Sequence, residues 1–267
     1  MAAASAGRLP GWDTLVLIVL CMVLARTVAM TANRWVDAKY DAQNPRTARR
    51  AIPAGNLSAR FVMISTFVCS LGFIMATSGF WVIDENLWPL LLSPVVLAWL
   101  IGYSFTKRFT SMCHLFLGSA LAISPLAAVI AIEPAFMAHG EPYLLALMVL
   151  CWVTGFDVIY ALQDVEFDRA TGLHSMPANL GVGPALRIGL ALHVLSIVAL
   201  VLLVWHSDQL GIASGIGILI VAGLLVLEHV LVWGSKTHHI HLAFFTMNGI
   251  ISVLLGGLGI VDIVRSV

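Results

Sequence analysis

The 267-residue chain predicts an all-α, polytopic membrane helix bundle with eight transmembrane helices. Composition is the first observation: 60% of residues are hydrophobic and only 10% are charged. A soluble domain carries about 25% charged residues, and this chain could not cover a water-facing surface. Continuity is the second. The apolar residues form unbroken runs, not the period-2 alternation of a membrane barrel. Charge is the third: 14 Lys and Arg balance 14 Asp and Glu. No basic excess exists to meet nucleic acid, so the expected surroundings are the lipid bilayer.

Runs long enough to cross a bilayer lie at about 14–32, 58–82, 87–105, 111–132, 143–161, 185–205, 211–232 and 242–264. The first follows a segment with one basic residue, Arg8, and a cleavage near 29–32 would fall beside a polar motif. It therefore reads as a retained span, not a signal peptide. The third and fourth carry Pro94 and Pro125, and the last three carry no polar motif of their own. Most of the eight tryptophans mark span ends, as interfacial anchors do. Gly211-xxx-Gly215 and Gly256-Gly257 read as helix-packing contacts, since no strand precedes them to make a phosphate loop. Cys21, Cys69, Cys113 and Cys151 sit in apolar runs without a CxxC pair, so neither a disulfide nor a zinc site is expected.

Basic residues set the orientation. Eleven of the 14 fall in the connections after the odd-numbered spans: Arg34, Lys39, Arg46, Arg49, Arg50, Arg60, Lys107, Arg108, Arg169, Arg187 and Lys236. Those connections are expected on the cytoplasmic side, and the opposite ones carry Asp84, Glu85, Glu133 and Glu141. The N-terminus is then external, after only about a dozen residues.

Chemistry concentrates at two span ends. Asn33, Asp37 and Asp41 are spaced i, i+4, i+8 and share a helical face. Asp164 and Asp168 repeat the spacing at the end of the fifth span. Oxygen donors of this kind suit a hard cation, and Mg²⁺ usually shares its shell with substrate phosphates. Acidic residues at helix ends are often just solvated, but two such motifs beside arginines on one face point to a Mg²⁺–diphosphate site. Arg26 lies seven residues before Asn33, and Asp157 seven before Asp164. Two turns place both about 10 Å deeper, where charges face a cavity and a partner. A shared pocket with the two as a pair is one expectation; separate snorkelling is the other. Tyr103 and Lys107 are also i, i+4 and are expected to project together. Lys107 and Arg108 fit either positive-inside anchoring or contact with phosphate oxygens. His238, His239 and His241 resemble a metal cluster but lack nearby acids, which favours a structural or interfacial role.

The chain resembles the UbiA superfamily of intramembrane aromatic prenyltransferases. The match rests on Asn33-xxx-Asp37-xxx-Asp41, the basic loop Asn44 to Gly55, Tyr103-xxx-Lys107, and Asp157 through Asp168 running on to Pro177. It spans the whole chain, 1–267, as one domain. The resemblance implies nine helices around a central cavity, so the helix that normally precedes the first motif is expected to be lacking. It implies a polyprenyl diphosphate donor and an aromatic quinone precursor as acceptor, 4-hydroxybenzoate or, as the alternative, a dihydroxynaphthoate. Ala51 and the Tyr160-to-Asp168 stretch are features that lean to the second. It implies Mg²⁺ held by Asn33, Asp37, Asp164 and Asp168 with Asp41 in support. Lys107, Arg108, Arg34, Arg46 and Arg49 would neutralise the diphosphate, Tyr103 would line the substrate site, Asp157 would orient or deprotonate the phenol, and Arg26 would bind the acceptor carboxylate. The expected location is the bacterial-type inner (plasma) membrane with the site facing the cytoplasm.

Two rivals have signatures of their own. A CDP-alcohol phosphotransferase needs an Asp-Gly…Ala-Arg…Gly…Asp…Asp stretch, which is not found. A transporter needs helices broken near mid-bilayer, for which Pro94 and Pro125 are candidates. A prenyl-lipid-binding member without activity is the third alternative.

Overall fold

A computed structural model describes residue 1, residues 10–232 and residues 247–266. Arg8, Lys236, His238, His239, His241 and the first part of the eighth predicted run lie outside the described residues. Among those described, eight helices are long and apolar enough to cross a membrane. The long helices are α1 (Trp12–Val36), α3 (Ala59–Asp84), α4 (Trp88–Gly102), α5 (Cys113–Ile132), α6 (Glu141–Tyr160), α9 (Val182–His206), α10 (Ile212–Val232) and α11 (Asn248–Ser266). Short helices α2 (Ala38–Gln43), α7 (Val165–Thr171) and α8 (Met176–Leu180) sit at one end of the bundle. Met75, Leu219 and Val253 are 73, 75 and 77% exposed. Large side chains outward on apolar helices require lipid around them, because in water such a surface would aggregate.

Local chemistry sets the helix ends. Ser58 caps α3 by accepting the Phe61 N–H at 3.1 Å. Asn86, just past α3, donates to the Ile130 carbonyl at 2.6 Å and so satisfies an orphan acceptor at the end of α5. Asp262, the one acid in α11, accepts the N–H groups of Gly211 and Ser214 at 2.8 and 2.7 Å. A charge in an apolar helix is thus explained: it caps the start of α10 from its neighbour. Pro94 and Pro125 lie inside continuous helices, so the breaks a transporter would show are not formed there.

Two packed groups meet along the bundle. Val28, Phe73 and Leu97 join α1, α3 and α4; Met148, Leu200 and Ile218 join α6, α9 and α10. Helix α6 is clamped between α5 and α9 by glycine. A Cβ on Gly118 would strike Thr154 Oγ1 and lie 2.7 Å from the Leu150 carbonyl. One on Gly155 would lie 2.5 Å from His193 Nε2 and 3.2 Å from the Gly189 carbonyl. Among the described residues the packing expected of Gly215, Gly256 and Gly257 is not formed, since nothing lies within 4 Å of a Cβ placed on them; Gly217 makes the close approach, to Leu258. Gly155→Val should cost at least about 1–3 kcal/mol of overpacking. A thermal melt in detergent would show this as a lowered midpoint, and an unchanged midpoint would contradict the close α6–α9 approach.

Candidate functional site

The acidic motifs end their helices by breaking them. Helix α1 stops at Val36 and Asp37 takes a φ of −90° and ψ of 2°, with α2 following directly. The Asp37 N–H still reaches the Asn33 carbonyl at 2.9 Å, and the Asp41 N–H reaches Asp37 at 2.8 Å, so the three residues keep helical succession. Beyond α6 the chain tightens to a 3₁₀ turn, Ala161–Asp164, before α7. Gly172, at φ +70°, ends α7 and turns the chain back toward the motif.

Each carboxylate of the two motifs meets a basic side chain. Asp37 pairs with Arg108 at 3.1 Å and accepts from Asn33 Nδ2 at 2.9 Å. Asp41 pairs with Arg50 at 2.6 Å, while its other oxygen is buried without a hydrogen-bond partner among the described residues. Asp164 accepts from Arg46 through both oxygens and from Asn44 Nδ2 at 2.9 Å. Asp168, fully buried, pairs with Lys107 at 2.8 Å and accepts from Ser175 Oγ at 2.8 Å. Lys107 lies within Coulombic reach of Asp37, Asp164 and Asp168, so the two motifs converge around its ammonium.

Electrostatics follow from this burial. Desolvation raises the Asp37 carboxyl above the usual carboxylate range, against the lowering pull of Arg108 and Lys107. Arg46 is also desolvated, yet its hydrogen bonds to Asp164 and to the Tyr160 hydroxyl hold its guanidinium above its ordinary value. Its plane lies 5.2 Å from the Tyr160 ring centre. Among the described residues no three His, Cys, Asp or Glu side chains form a ready metal cage. A cation here would draw the rest of its shell from elsewhere, as Mg²⁺ does from phosphates and water.

Several expectations about direction are corrected. Arg26 and Asp157 do not pair. Arg26 is exposed on the face of α1 that runs Trp12, Val16, Val19, Val23, Arg26, Met30 toward Asn33 and Asp37. Asp157 turns instead to His114 Nδ1, 2.7 Å away. Tyr103 and Lys107 do not project together, because Tyr103–Arg108 is a 3₁₀ helix. At three residues per turn, i+4 lies about 120° away. The Tyr103 hydroxyl leans to the Ala29 carbonyl at 3.5 Å, while Lys107 reaches α7. Tyr103 nonetheless lies within Coulombic reach of Asp37, Asp157 and Arg34, between the shallow motif and the deeper acid. Of the loop arginines, Arg46 and Arg50 reach carboxylates and Arg49 points outward, exposed. Among the described residues the Arg34 guanidinium makes neither hydrogen bond nor ion pair, and it lines a small cavity of about 170 Å³ with Asp41 and Arg50.

Sequence reasoning missed the partners. Asn44, Arg50 and Ser175 hold motif carboxylates, Tyr160 accepts from Arg46, and His114 holds Asp157. An ionisable residue at the start of an apolar run was the available signal for His114. An ionisable residue inside an apolar run was likewise the signal for His193, Glu228 and His229, which meet between α9 and α10. There His193 Nδ1 is 3.0 Å from His229 Nε2 and 4.0 Å from Glu228. These three lie behind α6, away from the motifs, and the last spans are therefore not purely apolar walls.

An all-α membrane bundle with its acids and bases gathered at one end defines the class of protein. The chain belongs to the UbiA prenyltransferase family, which it matches over residues 1–250, and the protein is a membrane-embedded prenyltransferase. It is 30% identical over 272 residues to the 4-hydroxybenzoate octaprenyltransferase of Aliivibrio fischeri (strain ATCC 700601 / ES114), covering 98% of this chain and 87% of that one. The apo structure of a UbiA homologue from Aeropyrum pernix K1 superposes with a TM-score of 0.85 at 28% identity, covering 98% and 94% of the two chains. A UbiA homologue from Archaeoglobus fulgidus, bound to GPP and Mg²⁺, shares the fold at a TM-score of 0.73 and 17% identity, covering 95% and 89%.

Arg46, with Asn44, ties the 44–58 connection to the end of α6. Arg46→Ala should speed amide hydrogen exchange across that connection by about tenfold, a loss of roughly 1.4 kcal/mol of local stability. Arg49→Ala should leave exchange unchanged. Equal effects of the two would contradict the asymmetry.

Proposed function

We propose that the protein transfers a polyprenyl group from a polyprenyl diphosphate to an aromatic quinone precursor, with 4-hydroxybenzoate as acceptor and Mg²⁺ required. The observation that carries this reading is the convergence of two acidic motifs around Lys107, each carboxylate matched by its own cation at one end of a lipid-facing bundle. The names of the curated relatives support 4-hydroxybenzoate over a dihydroxynaphthoate.

The donor set suits Mg²⁺. Asn33, Asp37, Asp41, Asp164 and Asp168 offer only oxygen to a metal, and one buried Asp41 oxygen is unpartnered. The Archaeoglobus homologue that binds GPP and Mg²⁺ supports the same chemistry here. When bound, the ion would neutralise charge on the diphosphate. Arg46, Lys107 and Arg108, released from their carboxylates, turn to the diphosphate oxygens, and Arg34 has no partner to leave among the described residues. They stabilise the pyrophosphate as the prenyl C–O bond breaks and the electron pair departs with it. The helix bundle keeps water from the allylic cation. The ring carbon beside the acceptor hydroxyl then bonds to the prenyl carbon, and the ring proton is lost. Asp157 orients the phenol, takes its proton as the ring attacks and returns it to the product oxygen once the ring proton has left, Tyr103 stands between it and the diphosphate, and Arg26, open on the same face of α1 as Asn33 and Asp37, binds the acceptor carboxylate. The basic connections support a site facing the cytoplasm of a bacterial plasma membrane.

Radiolabelled prenyl transfer to candidate aromatics tests this reading. Asp37→Ala and Asp164→Ala should each lower Mg²⁺-dependent transfer at least about 100-fold while the protein stays inserted. Near-normal turnover in either would overturn the metal assignment. Transfer to a dihydroxynaphthoate alone would reassign the acceptor, and diphosphate binding without transfer would mark a binding member.

A further inference from the structure

Helix α5 opens with Cys113 and then His114, a residue only 3% exposed. Both of its ring nitrogens are engaged. Nδ1 lies 2.7 Å from Asp157 Oδ2, and Nε2 lies 3.2 Å from the backbone N of Met176. A backbone N–H can only donate, so Nε2 is the acceptor and carries no proton. The remaining proton is on Nδ1, and it is donated to the Asp157 carboxylate. Met176 begins α8, and the preceding residue, Ser175, donates to Asp168 Oδ2 at 2.8 Å. One buried chain of contacts therefore runs from Asp168 through Ser175, Met176 and His114 to Asp157, joining the second acidic motif to the deeper acid.

We infer that His114 is a positioning residue for prenyl transfer: it fixes the Asp157 carboxylate at the acceptor, given the place proposed above for Asp157. His114 does not carry the proton away. Its second nitrogen is filled by the Met176 amide, and taking a proton there would break that bond. Its part is to hold one Asp157 oxygen so that the other faces the acceptor hydroxyl. An unconstrained carboxylate on α6 would rotate toward whichever cation stood nearest. Because the anchor is the first turn of α8, the orientation of Asp157 is set by the same turn that holds Asp168.

Steady-state kinetics on five variants test this. His114→Leu should lower kcat about 10- to 100-fold, the usual loss when an orienting partner is removed, with KM for the prenyl diphosphate within about twofold of wild type. His114→Asn places an amide N–H where Nδ1–H stood and should recover most of that loss. In an Asp157→Asn background, His114→Leu should add little, since groups acting as one unit are not additive. Unchanged kcat in His114→Leu, or a full further loss in the Asp157→Asn background, would overturn the inference. If the leucine variant does not insert, His114→Asn and His114→Gln decide the matter. Asn fast and Gln slow is expected, because Gln carries its donor to the Nε2 position, and the reverse order would overturn it. Wild-type turnover in Asp157→Asn would instead remove Asp157 from the reaction, a failure visible before any His114 variant is made.

Discussion

Four carboxylates at one end of a membrane bundle, three of them buried and Asp37 half-buried, cannot stand unpaired, and the neighbouring architecture follows from that constraint. Desolvating an isolated carboxylate costs several kcal/mol even after relaxation, so each acid needs a cation within contact distance. Arg108, Arg50, Arg46 and Lys107 supply them, each from a different stretch of backbone than the acid it meets. To bring them in, the chain interrupts three long helices with short ones and 3₁₀ turns, at Asp37, at Tyr103–Arg108 and at Ala161–Asp164. Buried ion pairs are weak sources of net stability, and apolar replacements of similar volume often do as well. Under the function proposed above, their retention is chemistry held in reserve, with acids for a metal and bases for a diphosphate kept neutral against each other.

Rigidity behind the site serves the same end. Helix α6 carries Asp157, leads into Asp164 and Asp168, and has no freedom to slide, because Gly118 and Gly155 let α5 and α9 approach to backbone contact. On one face it meets His114; on the other, His193 packs where Gly155 leaves room. A site built from matched acids and bases needs a scaffold whose position does not drift by an ångström, since misplacement of that size costs rate steeply.

The architecture was legible in the sequence because lipid imposes long, continuous apolar runs. All eight predicted spans have their helix, and α1 and α6 end within four residues of the predicted runs. The acidic motifs themselves were legible for the same reason, as polar residues too costly to sit there by chance. Side-chain direction was not. The i, i+4 rule placed Tyr103 beside Lys107, but it assumes 3.6 residues per turn, and the segment winds more tightly. The equal spacing from Arg26 to Asn33 and from Asp157 to Asp164 suggested a pair, yet a spacing along one helix says nothing about which neighbour lies across the gap. Asp157 faces α5, whose His114 lies more than forty residues upstream. Partners such as Asn44 and Ser175 sit in connections with no periodicity to betray them, and only the folded chain reveals what they hold.

Mg²⁺ titration with and without diphosphate tests most directly whether these ion pairs are held in reserve. The chain has oxygen donors but no complete metal cage among the described residues, and each donor carboxylate is occupied by a cation. Mg²⁺ alone should therefore bind weakly to the detergent-solubilised protein. With an unreactive prenyl diphosphate analogue present, the bases have somewhere to go, and the apparent affinity should rise at least about tenfold, a coupling of roughly 1.4 kcal/mol or more. Equal affinity in the two titrations would contradict the account, because the acids would then be free for metal without release of their basic partners.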